Sequence, residues 1–344
     1  MGGYRQGRPP LAWSLTRQRT LERCPRRYWL KYYGGYLGWK ADAAPRIRRI
    51  HALGKLVTLP IGLGAALHSA ARGFATAIQA RAALPSLEVT RREIRAHLNW
   101  LVRSSRDPEE FLRNPRNPML QEVWYDWGLT EDLIHRTSMR VDECSLNLHE
   151  ATLWDELRQL PNNAILLVDS LEVQSIEHQL VYAAPDLAYF ADHETGVIVD
   201  FKSGSAKDDE LHEQVSLYAL FVRQMLQDRA PKHWRARILL LADGTEREWE
   251  LGEEDFEAAA LRVQSGSAAM RALLQDEASN EPLPLECFPL TERRYQCPRC
   301  PFWDICEPAI RGPAASRARD SLDVLRGGHI QVGAVGGRRV SAEA

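Results

Sequence analysis

The sequence has no apolar run suited to a bilayer. Its most apolar long window, Leu56 to Ile78, is broken by His68, Arg72 and several glycines, which excludes a membrane span there. Arg5 and Arg8 are followed by no apolar stretch, so no cleaved signal peptide is expected and the protein is read as cytoplasmic. No phosphate-binding loop of the G-x-x-x-x-G-K-[ST] type occurs, which excludes a P-loop motor within the chain. There is no internal repeat, so solenoids and propellers are excluded. Net charge is scarce too: 44 Lys and Arg stand against 46 Asp and Glu, and that total alone says nothing about nucleic acid. Only six cysteines occur in 344 residues, and three of them crowd into the ten residues CPRCPFWDIC from Cys297 to Cys306. In a reducing cytosol such a group suggests metal or cofactor binding over a disulfide framework.

In place of net charge the chain has a charge distribution. Residues 1 to 50 carry twelve Arg and Lys against two acids, the segment after Phe288 is again Arg-rich, and the middle is acidic. If the two ends meet in the fold, they form a basic surface beside an acidic centre, an arrangement suited to a phosphate backbone approaching a metal site.

Residues 1 to 12 read as a flexible lead. A helix is expected from Ser14 to about Tyr36, ending near Gly34-Gly35, and a second within residues 50 to 82 around GLGAALHSAARGFATAI. Residues 86 to 160 read as mostly helical, interrupted at RNPRNP, and form an insertion or cap. The period then changes. AILLVDSLEVQSI, QLVYAA, DLAYF and GVIVDF are short β-branched and aromatic runs between turn residues, which predicts a sheet with hairpins. Tyr182, Tyr189 and Phe190 are expected in its core. A helix from about Asp208 to Gln227, strands RARILLLA and EREWEL around Asp243-Gly244, and a helix from about Glu253 to Leu274 follow. The segment 311 to 344, rich in Gly, Ala, Ser and Arg, is expected to be disordered.

The chemistry concentrates in PDLAYFADHETGVIVDFKSG. A hairpin here brings Asp186, at the start of one strand, close to Asp200, near the end of the next. Side chains alternate along a strand, so Asp200 and Lys202 share a face. Two acids and a lysine at one spot suit a hard divalent cation such as Mg2+ or Mn2+, with the lysine orienting or deprotonating a water, and that set suits phosphodiester hydrolysis. A lone D-x-K triplet is most often a surface ion pair. This one closes an apolar strand, where a buried charge calls for a partner or a metal.

With Pro185-Asp186, Asp200 and Lys202 in this order, the chain resembles the PD-(D/E)xK nuclease superfamily, specifically its RecB-like branch. Two further motifs carry the resemblance: Gln214-Val-Ser-Leu-Tyr218 on the helix after the lysine, and Gly64-Ala-Ala-Leu-His68 on a helix upstream. The resemblance runs from about Ser14 to Cys306, while residues 86 to 160 match no motif of the family. It implies that Asp186, Asp200, His68 and the main-chain carbonyl of Phe201 coordinate the metal and that Lys202 positions the attacking water. It also implies that Gln214 and Tyr218, one helical turn apart, contact DNA or brace the lysine.

The C-terminal spacing C-x2-C-x5-C offers three thiolates, and zinc or an iron-sulfur cluster usually takes a fourth ligand. The residues alone leave Cys24, Cys144, Cys287 and nearby histidines as candidates. RecB-like nucleases of the AddB, CRISPR-associated and exonuclease V types use a lone N-terminal cysteine with a C-terminal triplet, so the resemblance implies a [4Fe-4S] cluster on Cys24, Cys297, Cys300 and Cys306. A zinc ribbon would show two paired knuckles, whereas here one ligand stands alone far away in sequence. Cys144 and Cys287 are then plain buried or surface thiols. Arg26, Arg27, Lys31, Arg293, Arg294 and Arg299 lie within a few residues of these cysteines and are the candidates for phosphate contacts.

The expected fold is α/β with a restriction-endonuclease-like core: a central mixed sheet flanked by helices, in one domain over 13 to 310. It carries a helical insertion over about 86 to 160, the nuclease core over about 161 to 276, and an iron-sulfur segment over 287 to 310 paired with Cys24. The expected function is a metal-dependent DNA exonuclease on single-stranded ends, in recombination, repair or CRISPR spacer acquisition, beside a helicase or CRISPR or repair proteins. The alternatives are a DNA-end binding module with a silent site and a zinc-stabilised protein of unrelated function.

Overall fold

The computed structural model describes residues 7–204 and 207–306. The segment expected to be disordered, 311 to 344, and the first six residues of the expected lead lie outside the described residues. Residues 7 to 12, expected to be flexible, are instead tied to the body. Arg8 pairs with Glu281, the Asn280 amide donates to the Pro9 carbonyl, and Ala12 is buried. Trp13, fully buried, donates its backbone N–H to the Leu180 carbonyl at 2.7 Å and accepts from Tyr182 N–H at 2.8 Å.

The single helix expected from Ser14 to Tyr36 is divided. Helix α1 (Leu15–Arg23) is capped by the Ser14 hydroxyl, which accepts from Arg17 N–H, and stops at Cys24. Helix α2 (Pro25–Trp29) starts at once and runs on through a π turn over Leu30–Gly34. The cause is Pro25, whose ring disfavours helical backbone in the residue before it. Cys24 is accordingly extended, with φ −164° and ψ 105°, and its thiol takes the role of a cap for α2, accepting from Arg27 N–H at 3.4 Å.

Seven helices follow: α3 (Pro45–Leu53), α4 (Leu59–Gln79), α5 (Leu87–Ser104), α6 (Pro108–Arg113), α7 (Gln121–Trp124), α8 (Glu131–Glu150) and α9 (Leu153–Gln159). The break expected at RNPRNP falls between α6 and α7. The strands are β1 (Ile165–Val168), β2 (Glu172–Ile176), β3 (Gln179–Ala183), β4 (Leu187–Phe190) and β5 (Thr195–Lys202). After α10 (Asp208–Leu226) come β6 (His233–Leu240), β7 (Thr245–Leu251) and α11 (Glu253–Arg271), with a small pair β8 (Leu274–Asp276) and β9 (Glu281–Pro282).

The main sheet has five strands in the order β1-β4-β5-β6-β7, with β5 and β6 parallel and every other pair antiparallel. Helix α10 is the crossover that a parallel pair requires. AILLVDSLEVQSI is not one strand. It divides at Asp169, where φ is +42°, so that β1 joins the main sheet and β2 pairs only with β3. Tyr189 is buried as expected and Phe190 half-buried, but Tyr182 lies on the outer side of that separate hairpin, 37 % exposed.

Strand β5 is central, buried at six consecutive positions from Gly196 to Phe201. Ile198 packs with α1, α10 and α11 residues such as Leu21, Val215 and Val263, whereas Val197, Val199 and Phe201 pack with α4, α8 and α9 residues such as Leu67, Leu148 and Trp154. Phe201 stacks on Trp154, ring centroids 5.8 Å apart. A third core joins the two chain ends to the insertion. Leu30, Ile50, Leu53, Phe111, Met119 and Phe302 are buried together there, with Cys300 and Cys306 packed against them. The Arg-rich ends therefore meet, and the helical insertion contributes to holding the C-terminal cysteine segment.

Candidate active site

The β4–β5 register pairs Leu187 with Val199, and one further step sets Asp186 opposite Asp200. Asp186 is fixed on both oxygens: Oδ1 lies 2.8 Å from His68 Nδ1 and Oδ2 accepts from Phe201 N–H at 2.8 Å. His68 reaches it from the middle of α4. Asp200 and Lys202 stand on one face of β5, as alternation requires, with Lys202 Nζ 2.6 Å from Asp200 Oδ2.

Gln214 on α10 ties the set together. Its Oε1 accepts from Lys202 Nζ at 3.1 Å, while Nε2 donates to Asp200 Oδ1 at 3.0 Å and to the Tyr218 hydroxyl at 3.0 Å. Oxygen toward the ammonium and nitrogen toward the carboxylate is the amide orientation that satisfies both partners. Gln214 and Tyr218 thus brace the lysine and Asp200 through an i, i+4 contact on one helical face.

Electrostatics follow from burial. The Asp200 side chain is 3 % exposed. Its burial, and then the charge of Asp186 across the hairpin, push its pKa up to about 6, with Lys202 pulling the other way. Burial lowers the pKa of His68, but the hydrogen bond and charge of Asp186 outweigh it and leave the ring above its ordinary value. Burial and then the Asp200 charge hold the Tyr218 phenol far above its usual range.

These residues fit a hard divalent cation by the chemistry of their donors. Two carboxylates are held facing each other at the cost of mutual repulsion, and Asp200 Oδ2 is buried with no hydrogen bond of good geometry, although the Lys202 ammonium is near. Among the described residues, no group of three or more His, Cys, Asp or Glu side chains stands close enough together to hold a metal as it is.

The second set is the cysteines. Cys297 is raised by burial and then by Cys24; Cys300 is raised by burial, with Cys24 and Cys297 adding to it. Cys306 is pushed up to about 12 by burial and then by Cys300, Cys24 and Cys297. The four thiols expected to act together are therefore electrostatic neighbours, drawn from both ends of the chain. Cys144 is buried within the helical layer and Cys287 is exposed. Thiolate donors suit a thiophilic centre, but among the described residues no three of these thiols stand close enough together to hold one as they are.

Of the expected phosphate contacts, Lys31, Arg293, Arg294 and Arg299 are exposed, whereas Arg26 and Arg27 are half-buried. Arg26 Nε donates to the Phe288 carbonyl at 2.7 Å, which makes it a strut between the two chain ends. Sequence reasoning missed Arg72, Asp169 and Arg140. Arg72 Nη1 meets Asp169 Oδ2 at 3.0 Å, Asp169 N–H donates to the Asp186 carbonyl at 2.9 Å, and Arg140 Nη1 donates to the Ser203 carbonyl at 3.1 Å. Arg72 had a usable signal, because it follows His68 by four residues on α4.

A mixed sheet with acids facing each other across adjacent strands, and a lysine beside one of them, defines a phosphodiester-hydrolase type of site. The model of the PD-(D/E)XK nuclease superfamily matches residues 12–307, and the chain belongs to that superfamily. Membership implies a metal-dependent nuclease that acts on DNA with divalent ions such as Mg2+ or Mn2+. No curated protein sequence matches the chain.

Proposed function

We propose that the protein is an exonuclease on single-stranded DNA ends, of the RecB-like branch, with a [4Fe-4S] cluster on Cys24, Cys297, Cys300 and Cys306. The observation that carries the catalytic part is the unbroken network from His68 through Asp186 to Phe201 N–H, and from Asp200 through Gln214 to Lys202 and Tyr218. Asp186, Asp200, His68 and the Phe201 carbonyl would hold the divalent cation, which supplies charge neutralisation at the scissile phosphate and an activated water.

The chain's own residues do the rest. Lys202, kept in place by Gln214, orients the attacking water and offsets the charge that builds up on the phosphate oxygens. Tyr218 fixes Gln214 from the far side. His68 holds Asp186 in the rotamer that faces Asp200. Arg293, Arg294, Arg299, Lys31 and the half-buried Arg27 form the basic surface that the cysteine segment orders, and a single strand would follow it by phosphate contacts. Recombination, repair and CRISPR spacer acquisition are the processes in which such a nuclease works, beside a helicase that supplies the unwound end.

The purified protein should shorten 5′- or 3′-labelled single-stranded DNA in Mn2+ or Mg2+, and addition of EDTA should stop it. The end from which label is lost gives the polarity. Binding of DNA ends with no shortening in either metal would favour a silent end-binding module over this reading.

A further inference from the structure

Helix α4 passes the site with a functional contact on each of three successive turns. At Gly64 the backbone runs so near the segment after Lys202 that a Cβ would lie 3.2 Å from the Ser203 hydroxyl. His68, one turn on, holds Asp186. Arg72, another turn on, directs Nη1 to Asp169 at 3.0 Å and Nη2 to the Ser69 hydroxyl at 3.3 Å. Asp169 is itself joined to Asp186 through its backbone N–H. Arg72 therefore stands beside the Asp186 end of the site. At the opposite end, Arg140 of α8 donates to the Ser203 carbonyl, one residue past Lys202. Gly64 and Arg72 are separated by about 12 Å along the helix axis at a rise of about 1.5 Å per residue. Two guanidinium groups thus bracket the acids and the lysine.

Both groups are free to change partners. Arg72 and Asp169 are 49 % and 31 % exposed in their side chains, and an exposed ion pair of this kind is weak. Arg140 is exposed, and its partners are the Ser203 main-chain carbonyl and the Cys144 side chain. A phosphate offers either guanidinium stronger, charge-assisted and bidentate bonds. Resting on the nuclease reading above, we propose that Arg72 and Arg140 grip the DNA phosphates on either side of the scissile one, and that Asp169 is a stand-in anion that occupies Arg72 until DNA arrives. Neither arginine belongs to the basic surface around the cysteines. They act at the chemical step's own position on the strand.

The competing explanation is that Arg72 and Asp169 form a structural tie between α4 and the end of β1. The two accounts differ in sign. As a tie, Arg72→Gln and Asp169→Asn both break the same contact and weaken binding alike. As a clamp with a stand-in anion, Arg72→Gln weakens DNA binding and Asp169→Asn strengthens it. Asn also tolerates the left-handed backbone at position 169, so the second variant keeps its local fold.

The experiment measures the affinity of fluorescein-labelled oligothymidylate in EDTA, where no cleavage occurs, over a range of salt concentrations, with melting temperatures for every variant. Arg72→Gln and Arg140→Gln should each weaken binding several-fold and flatten the slope of log affinity against log salt by about 0.7, one single-strand phosphate contact apiece. Arg72→Lys should keep the slope. Asp169→Asn should tighten binding several-fold, and Asp169→Asn with Arg72→Gln should match Arg72→Gln alone. Unchanged slopes in the glutamine variants, or weaker binding by Asp169→Asn, would overturn the clamp. Because the readout is binding, its outcome is separate from cleavage. A protein that shows these slopes and never cuts sinks the nuclease reading alone, and one that cuts with unaltered slopes in the variants sinks the clamp alone.

Discussion

Replacing Lys202 by Met is expected to slow DNA cleavage at saturating Mg2+ by about 10²- to 10⁴-fold, the range of a positioned proton-transfer or water-orienting group. The KM for DNA should move little, because the ammonium, held by Gln214 and Asp200, acts on charge that develops only in the transition state. The same change leaves Asp200, 3 % exposed and repelled by Asp186, without its nearest positive charge. Lys202→Arg should not rescue the rate. A planar guanidinium fork cannot replace a point ammonium between one amide oxygen and one carboxylate oxygen. Steady-state kinetics on end-labelled DNA decide the matter, and a kcat for Lys202→Met within about fivefold of wild type would remove the lysine from the chemistry, since the range above starts at about 10²-fold.

The second large effect is expected at Cys24. This residue lies at the junction of α1 and α2, presents its thiol there, and is an electrostatic neighbour of the three C-terminal cysteines across more than 250 residues of chain. A centre bound by both ends removes the entropy of that loop from the unfolded state, worth on the order of 5 kcal/mol. That is comparable with the whole net stability of many domains, about 5 to 15 kcal/mol. On the proposed [4Fe-4S] reading, wild-type protein purified without oxygen should be brown and carry iron and sulfide, and Cys24→Ser should lose all three and melt at a much lower temperature. Its third core, in which Phe302 packs with Leu30 and Phe111, should loosen along with it. Cys287→Ser, at an exposed thiol, should change none of these. A colourless wild-type protein purified without oxygen and carrying zinc would replace the cluster with a zinc site.

Much of the candidate site was legible from local rules. Period-two alternation put Asp200 and Lys202 on one face, the hairpin brought Asp186 across from them, and four-residue spacing put Gln214 and Tyr218 on one helical face, whereas His68 was reached only through the family resemblance. Partner choice between distant elements was not legible. Alternation marked Glu172–Ile176 as strand but could not say that β2 leaves the main sheet, because the departure is made by one left-handed residue, Asp169. The same separation hid the Arg72–Asp169 contact. The division of the expected Ser14–Tyr36 helix had a local signal, Pro25, which disfavours helical backbone at Cys24. Arg237 carried no warning in RARILLLA either. It is buried inside the sheet layer only because Glu156, Glu246 and Glu248 converge on it from α9 and β7. The third core was out of reach for the same reason, since it joins three segments that are far apart in sequence.

The central claim is that Asp186 and Asp200, opposed across β4 and β5, hold the cation that makes this protein cut DNA. Asp200→Asn keeps the shape and the bond from Gln214 Nε2 within reach of an amide oxygen, and it removes the charge that a divalent ion needs. The most direct measurement is release of label from end-labelled single-stranded DNA in Mn2+, with wild type and Asp200→Asn compared at equal folded concentration. The account predicts progressive release by the wild type and none by Asp200→Asn; release by the variant at a rate near that of the wild type would contradict it.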